Sequence, residues 1–189
     1  MGVVKKVIFL NLLIFLINCA SSEVFIKPNT NFKKYKRVAI YNFLDYPIIP
    51  NSGRQLADIL SMNLLGSNID LVDRSSTETI MKEWKISLSG IIDEKTTPEI
   101  GNLLGVQAIL LGSVNEWGSV TQNIQIVQGS PPAYMTVSSV GITVKLIDCE
   151  TAEIIWAANA RGTEVGPNQH TSAANKAVKD LVKKLNKSF

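Results

Sequence analysis

The stretch from Thr97 to Gly118 most narrows what this chain can fold into. Thr97 can cap a helix whose first residue is Pro98, where a missing N–H is no loss, and Gly105 can close that helix in the left-handed conformation glycine adopts most easily. The apolar run Ala108 to Leu111, followed by Val114, begins after only two more residues and suits a buried strand entered directly from the helix. Helix, tight turn and core strand form an α/β unit. The unit carries no nucleophile, metal-ligand set or phosphate-binding loop, so the sequence points to an address and an architecture rather than to a reaction.

The flanking sequence extends this unit into a sheet. Val38, Ile40 and Phe43 suit a central strand within Arg37 to Phe43, and Pro47 and Pro50 force a loop. Ser52 with Gln55 reads as a capping box for a helix from Gly53 to Leu65, ended by Gly66. Asp70 to Asp73 is a short second strand, Ser75 with Glu78 is a second capping box opening a helix through Ile80, Met81 and Trp84, and Ile86 to Glu94 is a connecting loop. Val120 to Val127 leads to a turn at Gly129 to Pro132 and a long strand from about Met135 to Asp148. There Val140, Ile142, Val144 and Leu146 alternate with Gly141, Thr143, Lys145 and Ile147. Cys149 to Ala152 is a turn, and Glu153 to Arg161 returns as the antiparallel partner. A helix from about Thr171 to Lys187 closes the chain, with Ala174, Ala177, Val178, Leu181, Val182 and Leu185 on one face and a solvated basic face opposite. The expected fold class is α/β, a mixed β-sheet flanked by helices in one domain, residues 35–189, with a C-terminal amphipathic helix.

The N-terminus reads as a targeting signal. Two lysines at positions 5 and 6 precede Val7 to Ile17, eleven residues that are apolar except for Asn11. At about 1.5 Å per residue this run is too short to cross a hydrocarbon core of roughly 30 Å. Leu16-Ile17-Asn18-Cys19, followed by Ala20-Ser21-Ser22, resembles the lipobox of bacterial lipoproteins, with Asn18 where most boxes carry Gly, Ala or Ser. Residues 1–18 would then be a lipoprotein signal peptide and Cys19 the lipidated, palmitate-bearing N-terminus. The alternative is ordinary secretion with cleavage after Ser21. Acyl chains contribute about 0.8 kcal/mol per buried methylene, so two or more would hold Cys19 on a membrane.

Removing 18 of 189 residues leaves 171, enough for one domain with a real core. It also removes Lys5 and Lys6, so the formal charge falls from +3 to +1 and gives no support for nucleic acid as a partner. Cys149 is left without a disulfide partner and reads as a small, partly buried strand residue. Residues 19–34 are polar, with Pro28 and Asn29-Thr30-Asn31, and read as a lipidated tether of about fifteen residues with a reach of roughly 20 Å. Lys33, Lys34, Lys36 and Arg37 around Tyr35 read as a solvated lead-in to a strand, with contact to acidic headgroups as the alternative.

Catalytic chemistry finds little material. His170 is the only histidine, in a polar Gly166-to-Thr171 loop, so a His-based metal cluster or triad cannot be assembled and a surface role is expected. Asp93 with Glu94, and Glu150 with Glu153, have ordinary explanations as turn residues. The helix start at Gly53 offers free amides to an anion, as every helix N-terminus does. Trp84, Trp117 and Trp156 suit sheet packing better than a ligand cage. No catalytic, cofactor-binding or metal-binding residues are assigned, and no enzyme is expected.

One ordered set of motifs does point to a family. Val38 to Phe43 before a capped helix, Leu71-Val72-Asp73-Arg74, Gly90-Ile91-Ile92-Asp93, Ile100-Gly101-Asn102-Leu103-Leu104-Gly105, Ile109 to Val114, and Leu146-Ile147-Asp148 before Thr151-Ala152-Glu153-Ile154 together resemble the curli-secretion lipoprotein family, CsgG. The resemblance covers about Arg37 to Gly162, and Ala152 stands where family members usually carry Gly. Related periplasmic lipoproteins, among them activators of penicillin-binding proteins, share the same core. The resemblance implies an outer-membrane lipoprotein, anchored through Cys19, facing the periplasm and meeting an envelope protein partner, with homo-oligomerisation possible. Ala20 after Cys19 is compatible with export to the outer membrane. A curli-type barrel needs two hairpins per protomer, roughly forty residues. Asn115 to Val140 offers one hairpin diluted by Gln122, Asn123 and Gln125, the chain after Trp156 has no room for another, and the loop Leu44 to Ser52 is short. The reading is a non-enzymatic binding or assembly factor of envelope biogenesis or export. The alternatives are a subunit of an oligomeric secretion pore and an activator of a peptidoglycan synthase.

Overall fold

In the computed structural model, residues 20–72, 77, 79, 96–124 and 133–189 are described. Along them run β1 (Ser21–Ile26), a 3-10 turn (Phe32–Lys34), β2 (Arg37–Leu44), α1 (Ser52–Leu64), β3 (Asp70–Val72), α2 (Thr96–Leu104), β4 (Ala108–Ile124), β5 (Ala133–Asp148), β6 (Ile154–Val165) and α3 (His170–Leu185). Among the described residues the strands form one six-stranded sheet in the order β1-β6-β5-β4-β2-β3. β3, β2 and β4 are parallel, and β4, β5, β6 and β1 are antiparallel. The mixed α/β sheet follows from two helix-linked strands leading into hairpins.

The period-two pattern of β5 sets the layers. Val140, Ile142, Val144 and Leu146 share a face with Val38, Ile40, Leu110, Val114 and Trp156, and this face is buried under α1 and α3. Ala39 and Ile109 point the other way, against Ile100 and Leu104 of α2, with Val106 and Cys149 completing a smaller core. The amphipathic face read on the last helix is the one that docks: Ala174, Ala177, Val178, Leu181, Val182 and Leu185 are all buried. Each fully buried Val or Leu contributes about 1.5–3 kcal/mol, which secures α3 although its mean composition is polar.

Several expectations are revised. The tether is not one over its first part, because Ser21–Ile26 forms edge strand β1, paired with β6 from Ser21↔Arg161 to Ile26↔Trp156. Its backbone finds the free edge of β6. The Ser22 hydroxyl donates to Asp180 at 2.5 Å, and Lys184 donates to the Ser22 carbonyl, tying the strand to α3. The folded domain therefore begins well before residue 35. The Ser52–Gln55 capping box does not form: Ser52 lies inside α1, its hydroxyl accepting from the Tyr46 N–H, and Asn51 at the cap has a φ of 64°. Asp45 caps the helix instead, its carboxylate accepting from Gly53 N at 2.7 Å and Asn51 N at 2.9 Å. Asp45 thus takes the Gly53 amide that might have drawn an outside anion. A Cβ at Gly53 would stand 2.0 Å from the Phe43 carbonyl oxygen, so only glycine lets α1 start this close to β2.

The opening unit survives with a shifted start. α2 begins at Thr96, before Thr97 and Pro98, and Gly105 closes it with a φ of 62°. The strand that follows does not stop at Val114. A bulge between Val114 and Glu116 absorbs one residue and β4 continues, in register with β5, to the Ile124↔Ala133 pair. The capping box at Ser75 and Glu78, its helix through Trp84, the loop Ile86 to Glu94 and the turn Gly129 to Pro132 lie outside the described residues.

Candidate functional site

Three features of the described residues hold polar chemistry, and each is built by the sheet. The first is a buried carboxylate at the β5 terminus. Asp148 is 3% exposed, and its side chain takes four donors. They are Tyr35 Oη at 2.6 Å, Lys34 Nζ at 2.6 Å, Glu150 N at 2.7 Å and Thr151 N at 3.2 Å. Burial pushes this carboxyl upward, but the hydrogen bonds from Lys34, Tyr35 and the two backbone amides outweigh it and hold the group below the usual carboxylate range. Burial, then the hydrogen bond to Asp148, pushes the Tyr35 hydroxyl up to about 12. The basic lead-in expected to be solvated is therefore half structural, with Tyr35 in the core and Lys34 lying 4.8 Å from the centre of its ring.

Beside this cluster lies a cleft of about 490 Å³, lined by Lys34 and Asp148 together with Pro98, Asn102, Gln107 and Cys149 among others. Cys149 is buried under α2, and burial, followed by the nearby Asp148 charge, pushes its thiol up to about 12. A thiol so protonated is a poor nucleophile. The carboxylate oxygens of Asp148 are taken up by Tyr35, Lys34 and the turn amides of Glu150 and Thr151, so it is not poised to take a substrate proton.

The second feature is the face of β4, β5, β6 and β1 that α2 leaves open. Arg161 grips Glu116 with Nε at 2.7 Å and Nη2 at 2.8 Å, and Ser139 adds a third donor at 2.5 Å. Arg161 first, with Ser139 in support, holds the Glu116 carboxyl below its usual range against the upward push of burial. Asn115, Thr143 and Asn159 form a hydrogen-bonded row across three strands. The concavity over this polar surface has a volume of about 440 Å³ and is lined by Ser22, Asn115, Glu116, Asn159 and Arg161 among others. Among the described residues no group of three or more His, Cys, Asp or Glu could hold a metal ion.

The third feature is the far end of the β4–β5 hairpin, next to the α3 N-terminus. His170 is the first residue of α3, half-buried, stacked on Trp117 at 5.4 Å between ring centres and 3.3 Å from the Ser119 hydroxyl. Its expected surface role becomes a packing role, set by a Trp 53 positions earlier that no local pattern joins to it. Trp156 is fully buried, as sheet packing requires, with its indole N–H unpaired, while Trp84 lies outside the described residues. Cys19 precedes the first described residue, Ala20, which leads straight into β1.

The comparisons with known proteins agree with this architecture. A family described as curli production assembly/transport component CsgG matches residues 20–178. No curated protein matches the chain in sequence. Among solved structures the fold is similar to the PelC dodecamer from Paraburkholderia phytofirmans, at 19% identity and a TM-score of 0.58, covering 89% of this chain and 98% of that one. It is similar also to lipoprotein GNA1162 from Neisseria meningitidis, at 16% identity and a TM-score of 0.57, covering 79% of this chain and 96% of that one. The protein CT253 from Chlamydia trachomatis follows at 12% identity and a TM-score of 0.51, covering 80% and 96% of the two chains. At such identities the likeness is one of fold.

Proposed function

Because the chain belongs to the CsgG family, we propose that it is a non-enzymatic lipoprotein of the cell envelope. In this reading it is anchored by an acylated Cys19 in the outer membrane, faces the periplasm, and serves assembly or export as a homo-oligomer that meets an envelope protein partner. The family match over residues 20–178 carries the reading, since it starts immediately after Cys19 and leaves the lipobox-like segment outside the matched residues. The lipoprotein and dodecamer descriptions of two proteins of similar fold support the anchor and the oligomer. The filled acceptor sites of Asp148 and the protonated Cys149 support a binding role.

The experiment pairs membrane fractionation with intact mass and in-cell crosslinking. The expected result is a membrane-bound chain starting at Cys19 with acyl mass added, lost from membranes in Cys19→Ala, and crosslinked into multimers together with an envelope protein. A chain starting at Ser22 without added mass would defeat the anchor. Discrete conductance steps from the pure protein in liposomes would favour a secretion pore instead.

A further inference from the structure

The register of the sheet extends the lipid-anchored reading and rests on it. β1 enters opposite Arg161 and runs antiparallel to β6, so the chain before Ser21 heads toward the end of the sheet where β6 stops at Val165. That is also the end where β4 finishes and β5 begins. Cys19 is one peptide unit from Ala20, about 3.8 Å between Cα atoms, so the anchor leaves the domain on the hairpin side. Past the Val137↔Val165 pair the hairpin continues as two strands for four further pairs, Thr121↔Thr136 to Ile124↔Ala133. At about 3.4 Å per residue this ribbon reaches roughly 14 Å beyond the rest of the sheet.

Its two faces differ. One face carries Val120, Val137 and Val165 side by side on three adjacent strands, then Met135 beside Gln122, then Ile124 beside Ala133, and is apolar apart from Gln122. Val120 is 59% and Val165 42% exposed. The other face carries hydroxyl pairs, Ser119 with Ser138 and Thr121 with Thr136, each at 2.9 Å, followed by Tyr134. The Ser119–Ser138 pair lies against His170 and Gln169 at the start of α3, and beyond it the segregation continues where, among the described residues, no helix covers the sheet.

The apolar strip lies at the end from which the anchor departs, and lipid is the apolar medium found there. The four described pairs of the ribbon do not by themselves match the depth of a bilayer. Membrane strands take about 9–11 residues. Among the described residues the last β2–β4 pair is Leu44↔Ser113 and β6 ends at Val165, so backbone groups on both ribbon edges lack strand partners, which hydrocarbon does not tolerate. A contact at the headgroup boundary, with the apolar face inward by about 5–10 Å and the hydroxyl face toward water, satisfies both constraints. We propose that the hairpin face formed by Val120, Ile124, Met135, Val137 and Val165 rests on the lipid surface and fixes how the domain is oriented under its Cys19 anchor.

The test uses the full chain, processed in cells, purified and reconstituted into phosphatidylethanolamine–phosphatidylglycerol vesicles. Three exposed positions receive one cysteine each for a bimane label, as V120C, T121C and N159C, with buried Cys149 unlabelled. Nitroxide-bearing lipids should quench the V120C label at least twofold more than the T121C and N159C labels. Equal quenching at the three sites overturns the proposal. So does protection of V120C without quenching but with crosslinks between copies, which assigns the face to a second copy, or stepwise conductance, which assigns it to a barrel. Intact mass judges the anchor separately. Acyl mass with an unquenched V120C label defeats the hairpin contact alone, and V120C quenching without acyl mass defeats the anchor alone.

Discussion

Ala152 holds a φ of 58° in the turn between β5 and β6, its N–H bonded to the Asp148 carbonyl. An L-residue in this region costs about 1–2 kcal/mol, offset in an Ala-to-Gly change by the about 0.4–1 kcal/mol of extra freedom glycine has when unfolded. Ala152→Gly should therefore stabilise the chain by about 0.5–1 kcal/mol, read as a higher urea midpoint at unchanged slope. An unchanged or lower midpoint would mean that the turn carries no strain. The neighbouring carboxylate gives a pH signature. Asp148 is held below its ordinary range when folded, so its contribution is present above the unfolded value of about 3.9 and is lost as pH falls through the lower folded value. Glu116 acts in the same sense. The urea midpoint should be level from pH 7 to 5 and fall below about pH 4, with a shallower fall in Asp148→Asn, which is also weaker at pH 7. Tyr35→Phe removes one hydrogen bond to this charge and should cost about 1.5–3 kcal/mol at pH 7. An acid profile identical in Asp148→Asn would place the transition elsewhere.

At the scale of elements, periodicity explains both what was legible and what was not. The alternation of β5, the stripe on α3 and the Gly105 stop of α2 are local signals, and the structure reproduces them. β1 was hidden because Ser21, Ser22 and Glu23 read as linker, and an edge strand needs only one backbone partner, supplied by β6 far along the chain. The core position of Tyr35 is hidden in the sequence for a similar reason: its partner Asp148 is 113 positions away. The start of α1 shows tertiary competition directly. Ser52 had the right spacing to cap, but Tyr46 takes its hydroxyl and Asp45 takes the helix amides. Asp45→Ala should thus cost about 0.5–2 kcal/mol, the usual value of a lost cap, whereas Ser52→Ala should leave the α1 amides protected in hydrogen exchange. Faster exchange at Gly53 in Ser52→Ala than in Asp45→Ala would reverse that assignment.

For the whole molecule, β1 is what would join the proposed Cys19 anchor to the fold. If residues 20–34 were a free tether, the domain could drift by roughly 20 Å and turn in any direction. Six strand pairs with β6 and the contacts of Ser22 with Asp180 and Lys184 remove that freedom, so acylation at Cys19 would hold both the distance and the orientation of the sheet. Inserting twelve Gly/Ser residues between Ala20 and Ser21 tests this without touching the core. At about 5–6 Å × √n the insert adds a reach of roughly 20 Å, while β1 can still pair and the melting temperature should hold. Energy transfer from a label at Asn159 to a fluorescent lipid should fall and broaden into a distribution of lifetimes in the inserted chain, while flotation with membranes persists. Equal transfer in both chains would mean that something other than the β1 connection holds the domain against the bilayer, and the hairpin face would then be the element to remove next.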